Sequence, residues 1–458
     1  MKKILALVLA SVMVFSLAAC GGNAAPAAAG DTVAAETAAA EKSAAPAEAA
    51  AEAAPVSAEP TEISYWTFQE LHVEYYEKMA DKWNQEHPDK PIKLVPTVYP
   101  FDDMHSNLLI ALQSGTGAPD LVDIEVGKYA NFLKGDIQLL PLNDIVEPEL
   151  DNIVKARVDI YSKDNNYYGI CFHVGAAAIF YNTELCDLAG VDYKAIKTWD
   201  QYYEAAKKLK AADPSKYWES VETTDIWHMW PLLAELGGDM TAADGSVTLN
   251  TPQMAKVLEF NRKLVDEGLA VCAPGGYHHA EEFYQMMDGG NIASIVMPMW
   301  YLDRFTNYMP DLAGKIAIAP LPVWEEGENR SIGQGGTGTS VTNQARDPEL
   351  TKQFLAYAKL SEEAGIEIWN TLGFDTIVKS VWSMDDVTHA DNKFTQFYVN
   401  NPFDVLLEVK DEIVSHNNGE NLPQALDIMK NSVLNRAYTE PNVDIPKMLA
   451  EEQDSVVY

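Results

Sequence analysis

Glu70 and Glu125 each follow an apolar, strand-like run. Two carboxylates at a fixed separation across a glycosidic bond are the machinery of glycoside hydrolysis. Around Glu70 the octet YWTFQELH, Tyr65 to His72, crowds Trp66, Phe68, Gln69 and His72 into one corner. That mixture of flat rings, amide, carboxylate and imidazole also suits a non-covalent chemistry. A polyhydroxylated guest leaves water only if its hydroxyls find new partners. Ionised carboxylates accept from hydroxyls strongly, and amides both donate and accept. Carboxylates beside tryptophans equally suit a cationic guest such as a polyamine or a quaternary amine.

Other catalytic signatures are scarce. G-x-S-x-G, H-E-x-x-H and the Walker pattern are absent. HHAEE, His278 to Glu282, has the residue types of a metal cluster, but paired histidines before a helix are more often solvated. GQGGTG, Gly333 to Gly338, matches G-x-G-x-x-G without the strand–turn–helix register or the downstream acid of a dinucleotide site. Its glycines suit close backbone approach instead. In AADGSVTLNTP, Asp244-Gly245 reads as a hairpin turn and not as a calcium loop. Four cysteines, Cys20, Cys171, Cys186 and Cys272, exclude a disulfide scaffold. The last three read as buried thiols, with Cys171 and Cys186 the one conceivable pair. No cofactor or metal is expected.

The elements that must hold these groups alternate between strand and helix. YYEKMADKWNQEHP has helical spacing and stops at Pro88, IKLVPTVY is a strand, and MHSNLLIALQSGTGAPD is a helix closed by Gly115 and Gly117. DLVDIE is a buried strand ending at Glu125, and YYGICFHVGAAAIFYN holds two strand-like runs with no helix between. TWDQYYEAAKKLKAADP is a helix capped by Thr198, and TPQMAKVLEFNRKLVDEGL carries Pro252 in its first turn. GKIAIAPLPV is a strand, and DPELTKQFLAYAKLSEEAGIEIWNTLG is helix followed by helix. The pattern predicts an α/β fold with mostly parallel sheets, and about 400 such residues call for two lobes. Ligands of open α/β sheets sit beyond strand carboxyl ends, where both YWTFQELH and Glu125 lie.

Composition narrows the partners. With 68 acidic against 33 basic residues the formal charge is -35, which repels nucleic acid and anionic lipid. The start MKKILALVLASVMVFSLAACGG has two lysines, an apolar run and small residues, as in a secretory signal. Its Leu17-Ala18-Ala19-Cys20 resembles the bacterial lipobox, which implies cleavage before Cys20 and lipid on its thiol. From Gly21 to about Glu59 the chain is nearly all Ala, Glu, Pro, Ser and Gly, too poor in apolar groups to order itself. About 40 residues of such coil reach roughly 35 Å. The expected location is the extracellular face of a cell membrane, or its periplasmic side where an outer membrane exists.

The order of segments resembles the extracellular solute-binding proteins of carbohydrate ABC transporters, the broad family that includes maltose-binding protein. GAPDLVDIEVGKYANFLKGDIQLLPLNDIV, YYGICFHVGAAAIFYNTEL, ELGGDMTAADGSVTLNTPQMAKVLEFNRKLVDEGLA, FYQMMDGGNIASIVMPMWYL and GGTGTSVTNQARDPELTKQFLAYAKL carry the likeness between residues 61 and 400. The start WTFQELH resembles that of receptors for arabinose or plant-wall oligosaccharides. Gly169 is followed by Ile170, where the family often has proline.

The resemblance implies a two-lobed periplasmic-binding-protein fold of type II character, with a hinge and an interlobe cleft that ligand closes. The expected boundaries are a signal peptide at 1–19, the lipidated Cys20 and tether at 20–60, a first lobe at 61–172 plus 323–361, and a second at 173–322 plus 362–458. It also implies a monomeric, lipid-anchored receptor that hands carbohydrate to an ABC permease and breaks no bond. A polyamine receptor and a secreted glycosidase stay open as alternatives. The expected ligand groups are Trp66, Phe68, Gln69, Glu70, His72, Glu125, Trp227, Trp230, Trp300, Asp303 and the backbone of Gly335, Gly336 and Thr337. Five of them have a plainer role open: Trp66, Trp227 and Trp230 in cores, His72 as a cap or facing solvent, and Glu70 at the helix start.

Overall fold

A computed structural model describes residues 59–457. The expected signal peptide, Cys20 and nearly all of the tether lie outside the described residues. One five-stranded sheet runs in the order Ile92–Val98, Thr61–Thr67, Leu121–Glu125, Thr337–Val341, Ile170–Cys171. A second runs Ile316–Ala319, Ala177–Asn182, Ile292–Pro298, Tyr217–Val221, Ala270–Cys272.

The expectation of mostly parallel pairing is corrected. Thr61–Thr67 lies parallel to both its neighbours, and Tyr217–Val221 does the same in the second sheet. Thr337–Val341 and Ala177–Asn182 instead run antiparallel to both of theirs. These strands enter their sheets from segments that cross between the lobes, not through a right-handed helical crossover, so the parallel rule does not bind them. The two runs read in YYGICFHVGAAAIFYN end up in different sheets.

Local signals carry through. Thr198 makes a reciprocal capping box with Gln201 on the helix Trp199–Ala212, and Pro252 opens Pro252–Asp266. The helix Glu70–Glu86 buries His72, Tyr75, Tyr76, Met79, Ala80 and Trp83, the three-and-four spacing of one face. At Asp244-Gly245 the chain folds back, with Ala242 N–H donating to Ser246 O at 2.8 Å and Thr241 bridging Val247. Cys171, Cys186 and Cys272 are free thiols.

Ala177–Asn182 lies between two cores. Ala178 and Phe180 belong to one hydrophobic cluster, while Ala177, Ile179 and Tyr181 belong to the other. Residues 362–372, which the expected boundaries put in the second lobe, pack on the helix Glu70–Glu86 of the first. There Lys78 and Lys82 pair with Glu367 and Glu363. The helices Leu422–Ile428 and Ile445–Asp454 join the second core. Among the described residues no helix is long and apolar enough to cross a membrane, and no group of His, Cys, Asp or Glu is placed to hold a metal ion.

Candidate ligand-binding site

The octet that ends the first strand divides by the alternation of the strand. Tyr65 and Thr67 turn inward and are buried, while Trp66 is half-buried and meets Tyr99 edge-on at 5.1 Å. Phe68, Gln69 and Glu70 open onto a groove of about 1200 Å³. Its first wall continues along the helix through Glu74 and Glu77; the facing wall comes from the second lobe, with His279, Glu281, Tyr284, Asp303, Arg304 and Tyr308. Tyr284 and Tyr308 stack on each other at 4.8 Å with only 4° between planes. Five of these lining groups are carboxylates against the single guanidinium of Arg304, and Asp303, itself buried, is paired to it.

His72, expected among the ligand groups, turns into the first lobe. Its Nδ1 donates to Asp123 Oδ2 at 2.8 Å. The same carboxylate accepts from Tyr65 OH, from Thr67 Oγ1 at 2.9 Å and from Thr339 Oγ1 at 2.7 Å. A buried charge demands such partners, and the helical position of His72 points at it.

A second corner gathers around Trp300. Its ring meets Trp227 edge-on at 5.2 Å and 84°, and stacks with His279 at 5.5 Å and 15°. Its Nε1 donates to Gln334 O at 3.2 Å. Both tryptophans are half-buried. The close fit depends on Gly335: a Cβ there would sit 2.8 Å from Trp300 Nε1, and φ is +64°. Gly335 and Gly336 are buried, their carbonyls already taken by Arg157 and by Val126 N–H, and Thr337 lies opposite Glu125 in the sheet. The close-approach reading of GQGGTG therefore holds, but what approaches is Trp300, Tyr161 and Arg157.

Trp230 does not join this corner. The helix starts only at Trp230, so Trp227 lies in the turn before it and the two indoles share no face. Trp230 is buried, donating to Asp239 at 2.9 Å and lying 4.3 Å from the His416 ring.

Glu125 caps the short helix Val126–Tyr129, accepting from Gly127 N–H at 2.7 Å; Gly127 leaves room because a Cβ would meet Glu125 Oε2 and Leu426 at 2.9 Å. Across the lobes stands Lys430, paired with Asp225 at 2.9 Å and 5.9 Å from the Trp227 ring. Burial pushes the Glu125 carboxyl up to about 7, although Lys430 and Gly127 N–H pull it down. A raised folded pKa means the native state holds a proton the unfolded chain has lost. Stability from this group is therefore complete below the ordinary glutamate range and is lost as pH rises towards 7. Melting temperature measured across that window should fall with pH in the wild type, and Glu125→Gln should flatten this part of the slope.

His279, Tyr284, Tyr308 and Lys430 escaped the sequence reading. HHAEE drew notice only for metal chemistry, and Lys430 lies in a helix with no local signature.

Residues 69–365 match the model of the bacterial extracellular solute-binding protein family. The chain is 47% identical over 397 residues to an arabinooligosaccharide-binding protein of Halalkalibacterium halodurans, covering 86% of this chain and 89% of that one. It is 42% identical to the arabinooligosaccharide-binding protein of Bacillus subtilis, over 82% and 87%. Among solved structures, the GacH receptor of Streptomyces glaucescens superposes with a TM-score of 0.71 at 19% identity, over 86% of this chain and 97% of that one. A binding protein of B. animalis subsp. lactis in complex with beta-1,6-galactobiose gives 0.70 at 24%, over 86% and 96%. With a family model spanning well over half its length and relatives 47% and 42% identical over more than four fifths of the chain, this chain belongs to the bacterial extracellular solute-binding proteins.

Proposed function

We propose that the chain captures an arabinose-containing oligosaccharide in the cleft between its lobes and passes it to an ABC permease. The observation that carries this reading is the half-buried ring trio Trp227, Trp300 and His279, which continues through His279 into a groove walled by both lobes. Rings supply plates for sugar C–H faces, and Glu125, Gln69 and Glu70 supply partners for hydroxyls. The relatives named for arabino-oligosaccharides supply the sugar class. A lipid on Cys20 anchors the receptor, which acts as a monomer outside the cell and breaks no covalent bond.

Lys430 argues against a polyamine. The protein's own ammonium stands beside Trp227, where a guest cation would sit. Glu70 lines the groove and Glu125 does not, so the two carboxylates do not face one scissile bond. The groove's excess of carboxylates favours a neutral guest over an acidic one.

A thermal-shift panel of arabino-, malto- and galacto-oligosaccharides with spermidine tests this. At about 100 times Kd a true ligand stabilises by about 2.7 kcal/mol. Arabino-oligosaccharides should give the largest shift. A shift with spermidine alone, or shortened sugar chains after incubation, overturns the reading.

A further inference from the structure

The ring trio comes from three separate segments, two of which are loops that follow neighbouring strands. Trp227 follows the strand Tyr217–Val221, and His279 follows the strand Ala270–Cys272. Between these loops stands Glu222, fully buried. Its Oε2 accepts from the backbone N–H of Trp227 at 3.0 Å and of His228 at 3.4 Å, and its Oε1 accepts from the N–H of His278 at 3.0 Å. Glu222's own N–H donates to His228 Nδ1 at 3.3 Å, which assigns that ring nitrogen as an acceptor. His278 is held at its other end, with Nε2 3.2 Å from Ser220 Oγ and its carbonyl accepting from Tyr301 OH. Tyr301 is the residue next to Trp300.

We propose that Glu222 is a positioning residue for the sugar site: one carboxylate fastens the loop of Trp227 to the loop of His279, and so sets both rings against Trp300. This inference rests on reading that corner as a carbohydrate site. Two further bonds, from Thr223 N–H and Thr224 N–H to Gly276 O at 2.8 and 3.0 Å, also join the loops. They lie three or four residues before Trp227 and three before His279, and they leave the angle of the following turn free. Only the Glu222 bonds reach the amide of Trp227 itself and that of His278, the residue before His279. A carboxylate is the group that suits this job, because both its oxygens accept. An amide presents one oxygen and one NH₂, so Glu222→Gln sets a donor against a backbone donor and releases one of the two loops.

The test compares Glu222→Gln with Trp300→Ala and Trp227→Phe. Two indoles in contact at a steep angle give an exciton couplet in far-ultraviolet circular dichroism; Trp199 and Trp324, 6.0 Å apart, form a second such pair, so the part of the couplet that Trp227→Phe removes is the one assigned to Trp227 and Trp300. Glu222→Gln is expected to stay folded, to shrink the couplet towards the Trp227→Phe level, and to weaken arabino-oligosaccharide binding by about tenfold or more. An unchanged couplet with wild-type affinity overturns the proposal. If Trp300→Ala binds as wild type, the carbohydrate reading fails, while the couplet still decides whether Glu222 positions the rings. Should Glu222→Gln not fold, amide exchange in the wild-type protein decides. Slow exchange at Trp227, His228 and His278 supports the carboxylate clamp, and free exchange at these three amides overturns it.

Discussion

Replacing Trp300 with alanine is expected to weaken arabino-oligosaccharide binding by roughly 30- to 150-fold, about 2–3 kcal/mol. A tryptophan carries about 150–250 Å² of contact area, and a half-buried one can still bring about half of its burial energy to a guest. Trp300 is also the ring on which the other two converge, so its loss leaves Trp227 and His279 without a common neighbour. Its ties to the fold are one hydrogen bond to Gln334 O, the contact with Gly335 and the ring contacts with Trp227 and His279. Removing them with the already buried half of the ring should cost about 2–3 kcal/mol of stability. Calorimetric titration beside a melting curve separates the two effects. A Kd within threefold of wild type removes Trp300 from the site.

The largest effect on stability is expected from Asp123→Ala. This carboxylate sits on the central strand Leu121–Glu125, fully buried, and four side chains from three other segments donate to it. Burial opposes its charge, but His72, Lys359 and the Tyr65 hydroxyl outweigh that and hold its pKa below the usual aspartate range. Truncation leaves those four donors buried without their acceptor. Since one such orphan costs about 1–3 kcal/mol, a loss of about 4 kcal/mol or more is expected, or roughly 5–15 °C in Tm. Asp123→Asn keeps the shape and one acceptor, and should lose less. The sign with pH is opposite to that of Glu125. A depressed folded pKa gives stability that is present above the ordinary aspartate range and lost as pH falls through the folded value. Differential scanning calorimetry at neutral pH checks the main claim, and a Tm within about 2 °C of wild type for Asp123→Ala contradicts it.

These two residues mark what could be read from the chain alone. The place of Trp300 just past a strand end was legible because MPMWYL combines a local signal with a family order. The helices were legible because Thr198, Pro252 and the spacing from Tyr75 to Trp83 act within a turn or two. Asp123 reads simply as the polar interruption of an apolar run, because its four donors come from positions 65, 67, 72 and 339. His72 reads as a ligand group until that buried carboxylate is seen beside it. Trp230 takes the core role that was also open to it, at the start of a helix three residues after Trp227. Lys430 and Glu222 act across lobes or loops, and no periodicity encodes a contact of that range.

The strand Ala177–Asn182 has a consequence for how this gene can change. Successive side chains there serve opposite cores, Ala178 and Phe180 one and Ile179 and Tyr181 the other. Inserting or deleting a single codon would exchange the two sets, handing each core residues shaped for its neighbour. Length variation among descendants of this sequence must therefore avoid the segment and collect in outer turns such as Asp244-Gly245, where the chain bends back without owing a side chain to either interior.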